Sequence, residues 1–407
     1  MAKFLISHGK PFLAIMSVVA LALFATTLYL NRQINSRYQG ISVSSRQHRT
    51  HQPGPLRIAD ATHETQDLAS LNLTSLIEDE RVWLAGCQLP NGALAQAPGS
   101  NTVIPYFANL AAKTLVNSNP EAAQEYISWY LSNLNKPDQW GLSGTIYDYR
   151  VEYLAPGEDS NSAEIFMQPT RNYDSADSYA STFLSLVADY YFTTQDKDLI
   201  RANLEDINLV AKVIVELQDE DGLIFVKPGS WTKYLMDNAE NYRGLMDWSQ
   251  VLDEEGYAEE ADRFKYVAAG IKDGINHVLY DPEKGAFAWS LSPIWKRFPK
   301  EGKWYPDGVS QLYLLTCGLI SPGDPKAVTI WHDFNHNFPE WKTGAKKDKF
   351  PWGSVALASL IMGDSNKALE FAGWANETFL LNDRPYPWYV LESANLITLL
   401  EHILAMD

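Results

Sequence analysis

Carboxylates and aromatic rings recur together in this 407-residue chain, each time at the opening of an apolar segment. The fullest case is Asn172-Tyr173-Asp174-Ser175-Ala176-Asp177-Ser178-Tyr179, which runs on through Phe183, Leu184, Val187 and Tyr190. Asp174 stands where a helix N-cap belongs, and Asp177 follows three residues later on the same helix face. Tyr234 to Glu240 repeats the pattern with Asp237 and Glu240. Trp304-Tyr305-Pro306-Asp307, Pro351-Trp352-Gly353 and Pro387-Trp388-Tyr389 with Glu392 are further instances, and Tyr147-Asp148-Tyr149 lies upstream. Gathered carboxyls suit general acid–base work. Crowding keeps one protonated as a donor while another, ionised, activates water. Rings beside them suit the apolar C–H faces of sugars, although core packing explains rings equally well. Asp174-x-x-Asp177 and Asp237-x-x-Glu240 also have the form of capping boxes, and Asp307 after a proline reads as a cap. Capping and chemistry are compatible, since a capping carboxylate can still face a cavity.

Other chemistries find less support. His332 and His336 fall on one amphipathic segment, His277 near the end of another and His402 near the C-terminus, so none stands beside the acids. There is no CxxC or HExxH pattern, no Gly-rich phosphate loop and no G-x-S-x-G elbow. Cys87 and Cys317 are far apart and read as two buried free thiols. The first 50 residues hold six Lys/Arg and no Asp or Glu, so the rest is more acidic than the formal net charge of −17. Such a body repels phosphates and makes a poor nucleic-acid partner.

The elements that must position the acids follow from periodicity. Residues 1–10 are a short tail. Residues 11–30 form an uncharged apolar run long enough to span a bilayer, and 31–65 read as a polar stalk. An uncleaved signal anchor is the expectation, with Ala25-Thr26-Thr27 only a weak cleavage site. Lys3 and Lys10 before the run and Arg32 and Arg37 after it leave orientation undecided by charge. The body is placed outside the cytoplasm, periplasmic or extracellular, because a short tail is the simplest part to leave inside.

From residue 66 to 407 the pattern predicts twelve helices, at about 66–86, 103–117, 120–134, 174–194, 197–218, 238–254, 256–278, 307–319, 323–337, 351–363, 365–380 and 388–404. Odd members are amphipathic, and even members are apolar nearly all round. Even-to-odd links are very short; odd-to-even links are long. Several long links open alike, as in Asn91-Gly92-Ala93, Asp138-Gln139-Trp140-Gly141-Leu142, Asp221-Gly222-Leu223 and Asp281-Pro282-Glu283-Lys284-Gly285-Ala286, a degenerate internal repeat. The expectation is all-α. Six hairpins close into an (α/α)6 barrel with buried helices inside, parallel, and every long loop at one end. A superhelical solenoid of hairpins is the alternative.

Over residues 66–407 the hairpin count, the loop openings and Tyr-Asp-Ser-Ala-Asp-Ser-Tyr-Ala entering an inner helix resemble the six-hairpin glycosidase superfamily. The resemblance implies a toroid that hydrolyses a polysaccharide or oligosaccharide with inversion, one carboxylic acid and one carboxylate flanking the bond. Neither a metal ion nor an organic cofactor is required. The catalytic pair is drawn from Asp174, Asp177, Asp237, Glu240 and Asp307. Asp177, one turn inside its helix, suits proton donation, and Asp237, ending a long loop, suits water activation. A gap of about 6.5–9.5 Å between such a pair fits an inverting enzyme. Asp148, Tyr179, Tyr234, Trp304, Tyr305, Trp352, Trp388 and Glu392 would line the sugar subsites. A non-catalytic glycan-binding or polysaccharide-assembly protein on a degenerate hydrolase fold is one alternative. A polysaccharide lyase is another, though it would want basic residues beside a uronate. Oligomeric state is not readable from the sequence.

Overall fold

The computed structural model describes residues 72–153, 165–293, 295–344 and 348–406. The expected membrane span at 11–30, the stalk at 31–65 and the start of the first expected helix lie outside them. Among the described residues no helix is long and apolar enough to cross a membrane.

Among the described residues twelve α-helices form, α1 Leu73–Ala85, α2 Pro105–Ser118, α3 Pro120–Ser132, α4 Ala176–Thr194, α5 Lys197–Glu216, α6 Leu235–Glu254, α7 Ala258–Gly274, α8 Val309–Thr316, α9 Pro325–Asn337, α10 Gly353–Ile361, α11 Ser365–Thr378 and α12 Val390–Leu404. Local chemistry starts several of them. Asn72, Asn119, Asp196 and Asp324 each accept a backbone N–H of the first turn, and Pro120 and Pro325 occupy first-turn positions where no N–H is missed. Burial then separates two kinds. Helix α5 buries one stripe containing Ile200, Ile207, Ala211 and Ile214, whereas α4 buries almost every side chain from Ala176 to Tyr191.

The even helices pack in sequence, α2 on α4, then α6, α8, α10 and α12, and α12 returns to α2. The ring is therefore closed. Each odd helix lies outside it. Helices α3, α5, α7, α9 and α11 back the inner helix that precedes them, and α1 backs α12. The inner helices also run parallel, because their N-terminal residues meet. Tyr106 of α2 reaches Glu240 of α6, and the first amide of α10 reaches Glu392 of α12. A solenoid has neither property.

The long links are more ordered than the sequence suggested. Among the described residues they add eight short antiparallel strands, β1 Thr102–Val103, β2 Tyr149–Tyr153, β3 Ile165–Pro169, β4 Lys233–Tyr234, β5 Tyr280–Asp281, β6 Ala286–Phe287, β7 Ser290–Ser292 and β8 Trp295–Arg297. They pair as β1-β2-β3, β4-β7-β8 and β5-β6. The all-α expectation thus holds for the ring and fails in its loops, where backbone groups near the core must find partners. The internal repeat is real in three loops. Leu89, Asp138 and Asp219 each donate to the carbonyl four residues on, while Gly92, Gly141 and Gly222 donate back. Those three glycines take φ near +89°, +88° and +84°. The fourth instance differs, since Asp281 pairs with Ala286 in a β-hairpin. Cys87 and Cys317 are buried free thiols, as the sequence suggests.

Candidate active site

The parallel ring brings the expected acids to one mouth, in an arrangement the sequence only partly foretells. The cap of helix α4 falls one residue later than expected. It is Ser175, not Asp174, and Asp174 is left exposed. Asp177 then turns fully inward, 0% exposed. Its Oδ1 accepts the Ser175 hydroxyl at 2.6 Å and the Ser178 N–H at 2.9 Å, and its Oδ2 accepts Asn241 Nδ2 at 2.8 Å. Asp237 does not end a loop. It lies in the first turn of α6, 7% exposed, and Ser175 Oγ sits 3.2 Å from its Oδ2. One serine hydroxyl therefore fills the space between Asp177 and Asp237 where a water was expected. The facing oxygens are under about 6 Å apart, tighter than the gap an inverting pair keeps. Burial raises both carboxyls above the ordinary carboxylate range, and Asp237 pushes Asp177 further by like charge.

Glu240, one turn beyond Asp237, is 8% exposed. The Tyr106 hydroxyl donates to its Oε1 at 2.7 Å, and the Ser178 hydroxyl also acts on it. Burial, with Asp237 second, pushes it up to about 8. A carboxyl in that state is a proton donor at neutral pH. Asp148 is half-buried, accepts the Tyr179 hydroxyl at 2.9 Å and is pushed up to about 6, chiefly by burial. Nearby Asp174 also raises it, and Lys227 lowers it.

Other expected site residues fall in different places. Asp307 is buried before α8 but does not cap it; its Oδ1 accepts the Lys300 N–H at 3.0 Å and braces the loop. Trp304 is buried against Phe334, Phe338 and Trp352, with no open face for a sugar. Trp388 is also a core residue. It lies on the α1 side, where its indole donates to Glu80 at 3.2 Å. Glu392 accepts the amides of Trp352 and Gly353 at 3.1 and 2.7 Å, fixing the start of α10. Tyr179 is buried beneath Asp148.

Three rings remain available. Tyr305 is 50% exposed with its ring 5.0 Å from half-buried Trp352, and half-buried Tyr234 stacks on Trp289. Trp352 holds a left-handed φ of +65°, costly for a bulky residue, and its indole N–H has no hydrogen-bond partner.

The far wall holds an acid that sequence reasoning missed. Asp348, half-buried in the loop before α10, accepts the Phe350 N–H at 2.9 Å. The Phe350 ring lies 5.8 Å from that of Tyr389, at the start of α12, and the Asp348 charge helps to raise the Tyr389 phenol. Burial first and Glu240 second raise the Tyr313 phenol, and burial raises Tyr389 with Glu392 and Tyr313 behind it. Asp348 stands among Lys346, Lys347 and Lys349, and that charge run hides it in the sequence. Ser175 and Asn241 were missed as well, because only the fold reveals which carboxylate they hold.

The fold is a closed (α/α)6 toroid. No protein-family profile matches the chain, and no curated protein does. Among solved structures, one described as a wild-type glycosidase is similar at 15% identity and TM-score 0.56, covering 83% of this chain and 99% of its own. A GH78 family rhamnosidase of Bacillus sp. GL1 is similar at 13% identity and TM-score 0.53 over 84% of this chain, which spans 36% of that protein's length. A rhamnosidase from Klebsiella oxytoca, with rhamnose bound, is similar at 12% identity and TM-score 0.55, covering 85% of this chain and 66% of its own. At these identities the likeness is one of fold.

Proposed function

We propose that this chain is a glycoside hydrolase that cleaves an oligosaccharide or polysaccharide by carboxyl acid–base catalysis. Glu240 carries the reading. It is a buried carboxyl braced through one oxygen by the Tyr106 hydroxyl, with the Ser178 hydroxyl also acting on it, and its burial keeps it protonated at neutral pH. Glu240 donates its proton to the leaving glycosidic oxygen. Asp348 takes a proton from the attacking water. Asp348 precedes α10 and Glu240 lies on α6, and an inverting mechanism needs about 6.5–9.5 Å between them for the sugar and the water. Tyr305 and Trp352 offer a face to the sugar ring, and Asp174 and Asp148 accept hydrogen bonds from its hydroxyls. The apolar run at 11–30 holds this domain at a membrane, on the extracytoplasmic side.

A panel of neutral and uronate-containing glycans tests the reading. Reducing ends without new ultraviolet absorbance are expected; unsaturated products would mark a lyase, and binding without turnover a glycan-binding protein. Glu240→Gln and Asp348→Asn should each cost about 10²–10⁴-fold in turnover. Azide should rescue only Asp348→Asn, by replacing the activated water. Rescue of Glu240→Gln instead would reverse the two roles.

A further inference from the structure

The contacts between Asp177 and Asp237 fix a proton count. A serine hydroxyl has one hydrogen to give and two lone pairs to fill. Ser175 Oγ lies 2.6 Å from Asp177 Oδ1 and 3.2 Å from Asp237 Oδ2, so it cannot donate to both. The shorter contact is the donated bond. The Ser178 N–H, at 3.4 Å, approaches one lone pair as the helix cap. The other faces Asp237, and two lone pairs meeting there would repel unless Asp237 Oδ2 carries a hydrogen. Asp177 has no such need. It already receives the Ser175 hydroxyl, the Ser178 N–H and Asn241 Nδ2, three donors that together suit an ionised carboxylate. The inventory closes with one proton and one negative charge on the pair.

We propose that Asp177, Ser175 and Asp237 form a one-proton relay that keeps the pair's negative charge on buried Asp177 and presents Asp237 to the mouth as a neutral carboxyl. Asp237 and Ser175 are then positioning residues. They decide how much negative charge Glu240 feels from the preceding turn of α6. This role rests on the reading of Glu240 as the proton donor; the proton count does not. Burial of two acids side by side favours one retained proton on the pair, and the donor count at Asp177, not the raised carboxyls, decides which aspartate holds it. The titratable groups facing the relay and Glu240 are Asp174 before α4, Tyr106 on α2, Tyr234 before α6, and Tyr305, Tyr313 and Cys317 before, on and just after α8.

The relay and a pair of fully ionised aspartates predict opposite results. Infrared spectroscopy of the carboxylic-acid C=O band near neutral pH needs no substrate. With the relay, Asp177→Asn and Asp237→Asn each remove one protonated carboxyl from the band, and Glu240→Gln removes another. In Asp177→Asn the charge moves to Asp237, next to Glu240, so the pH at which the Glu240 band disappears rises. In Asp237→Asn it stays put. If both aspartates are ionised in the wild type, neither Asn variant changes the band, and Glu240 titrates lower in both. An unchanged band or a downward shift overturns the relay. Should Asp177→Asn fail to fold, Asp237→Asn decides alone, because the Asn amide supplies the donor that neutral Asp237 supplies. A panel with no cleaved glycan would remove the hydrolase reading and leave the infrared result standing.

Discussion

At the scale of single residues, the mouth is governed by where burial puts protons. Glu240 titrates at about 8 against 4.5 for an ordinary glutamate. The folded state therefore holds a proton that the unfolded chain has lost throughout that window. A carboxyl raised in the fold costs stability progressively as pH climbs from 4.5 through 8, and costs nothing below 4.5. Glu240→Gln should remove that cost while abolishing turnover. Thermal melts should show the variant more stable than wild type above pH 8, by about 5 kcal/mol, and equal to it at the acid end of the window. Equal stability at every pH would mean that Glu240 ionises freely in the fold. Part of this was legible in the sequence. Spacing placed Asp177 and Glu240 on inner-helix openings correctly and put Asp237 at the end of a loop, where the structure has it in the first turn of α6. It could not show that a one-residue shift in the cap of α4 puts Ser175 there and turns Asp177 away from the mouth. Nor could it show that Glu392, three residues after Tyr389, is spent on the amides of α10.

At the scale of elements, the helices were readable because apolar stripes and wrap-around apolarity have a period, and the loops were not because strands of two to five residues are too short to show one. The loop glycines are the exception. Gly222 takes φ +84°, and a Cβ there would meet the Gly270 carbonyl oxygen on α7 at 2.2 Å. Backbone cannot yield as a flexible side chain does. Gly92 stands in the corresponding loop, where a Cβ would meet the Glu125 carbonyl oxygen of α3 at 2.6 Å. The repeated turn thus seats each loop on the next outer helix, and that seating carries the chain back to the mouth. Gly222→Ala should destabilise by about 2–4 kcal/mol, combining αL strain with the clash. Gly229→Ala, where a Cβ meets nothing within 4 Å, is the matched control and should lose only the strain at φ +73°. Comparable melting points for the two variants would show that the loop moves off α7 without cost.

At the scale of the whole molecule, the ring depends on a seam between its first and last helices. Glu80 of α1 is fully buried and receives Arg384 Nε at 2.6 Å and the Trp388 indole at 3.2 Å. Ser393 of α12 donates to the Glu80 carbonyl oxygen, and Arg81 pairs with Glu401 at 2.7 Å. An open array of hairpins would have no reason to place an ionised group here, since its first and last repeats never meet. Charge and hydrogen bonds specify the seam where apolar packing alone would leave its register loose. Removing one partner strands the other. Glu80→Ala leaves Arg384 and the Trp388 N–H without their acceptor and should cost about 3 kcal/mol or more. Its reach distinguishes ring from array. The Val390 N–H, at the start of α12, donates to the Gln96 carbonyl oxygen of the α1–α2 loop at 2.8 Å, so slack at the seam passes to Tyr389 and Glu392 at the mouth. Hydrogen-exchange mass spectrometry of Glu80→Ala should show faster exchange in α1 and α12 together and at the start of α10, with α4 and α6 close to wild type. Pairing it with Arg384→Met should recover part of the loss, because the stranded charge goes with its partner. Faster exchange confined to α1 would mean that the ring does not close through this seam, and the far wall that carries Asp348 would lose its support on that side.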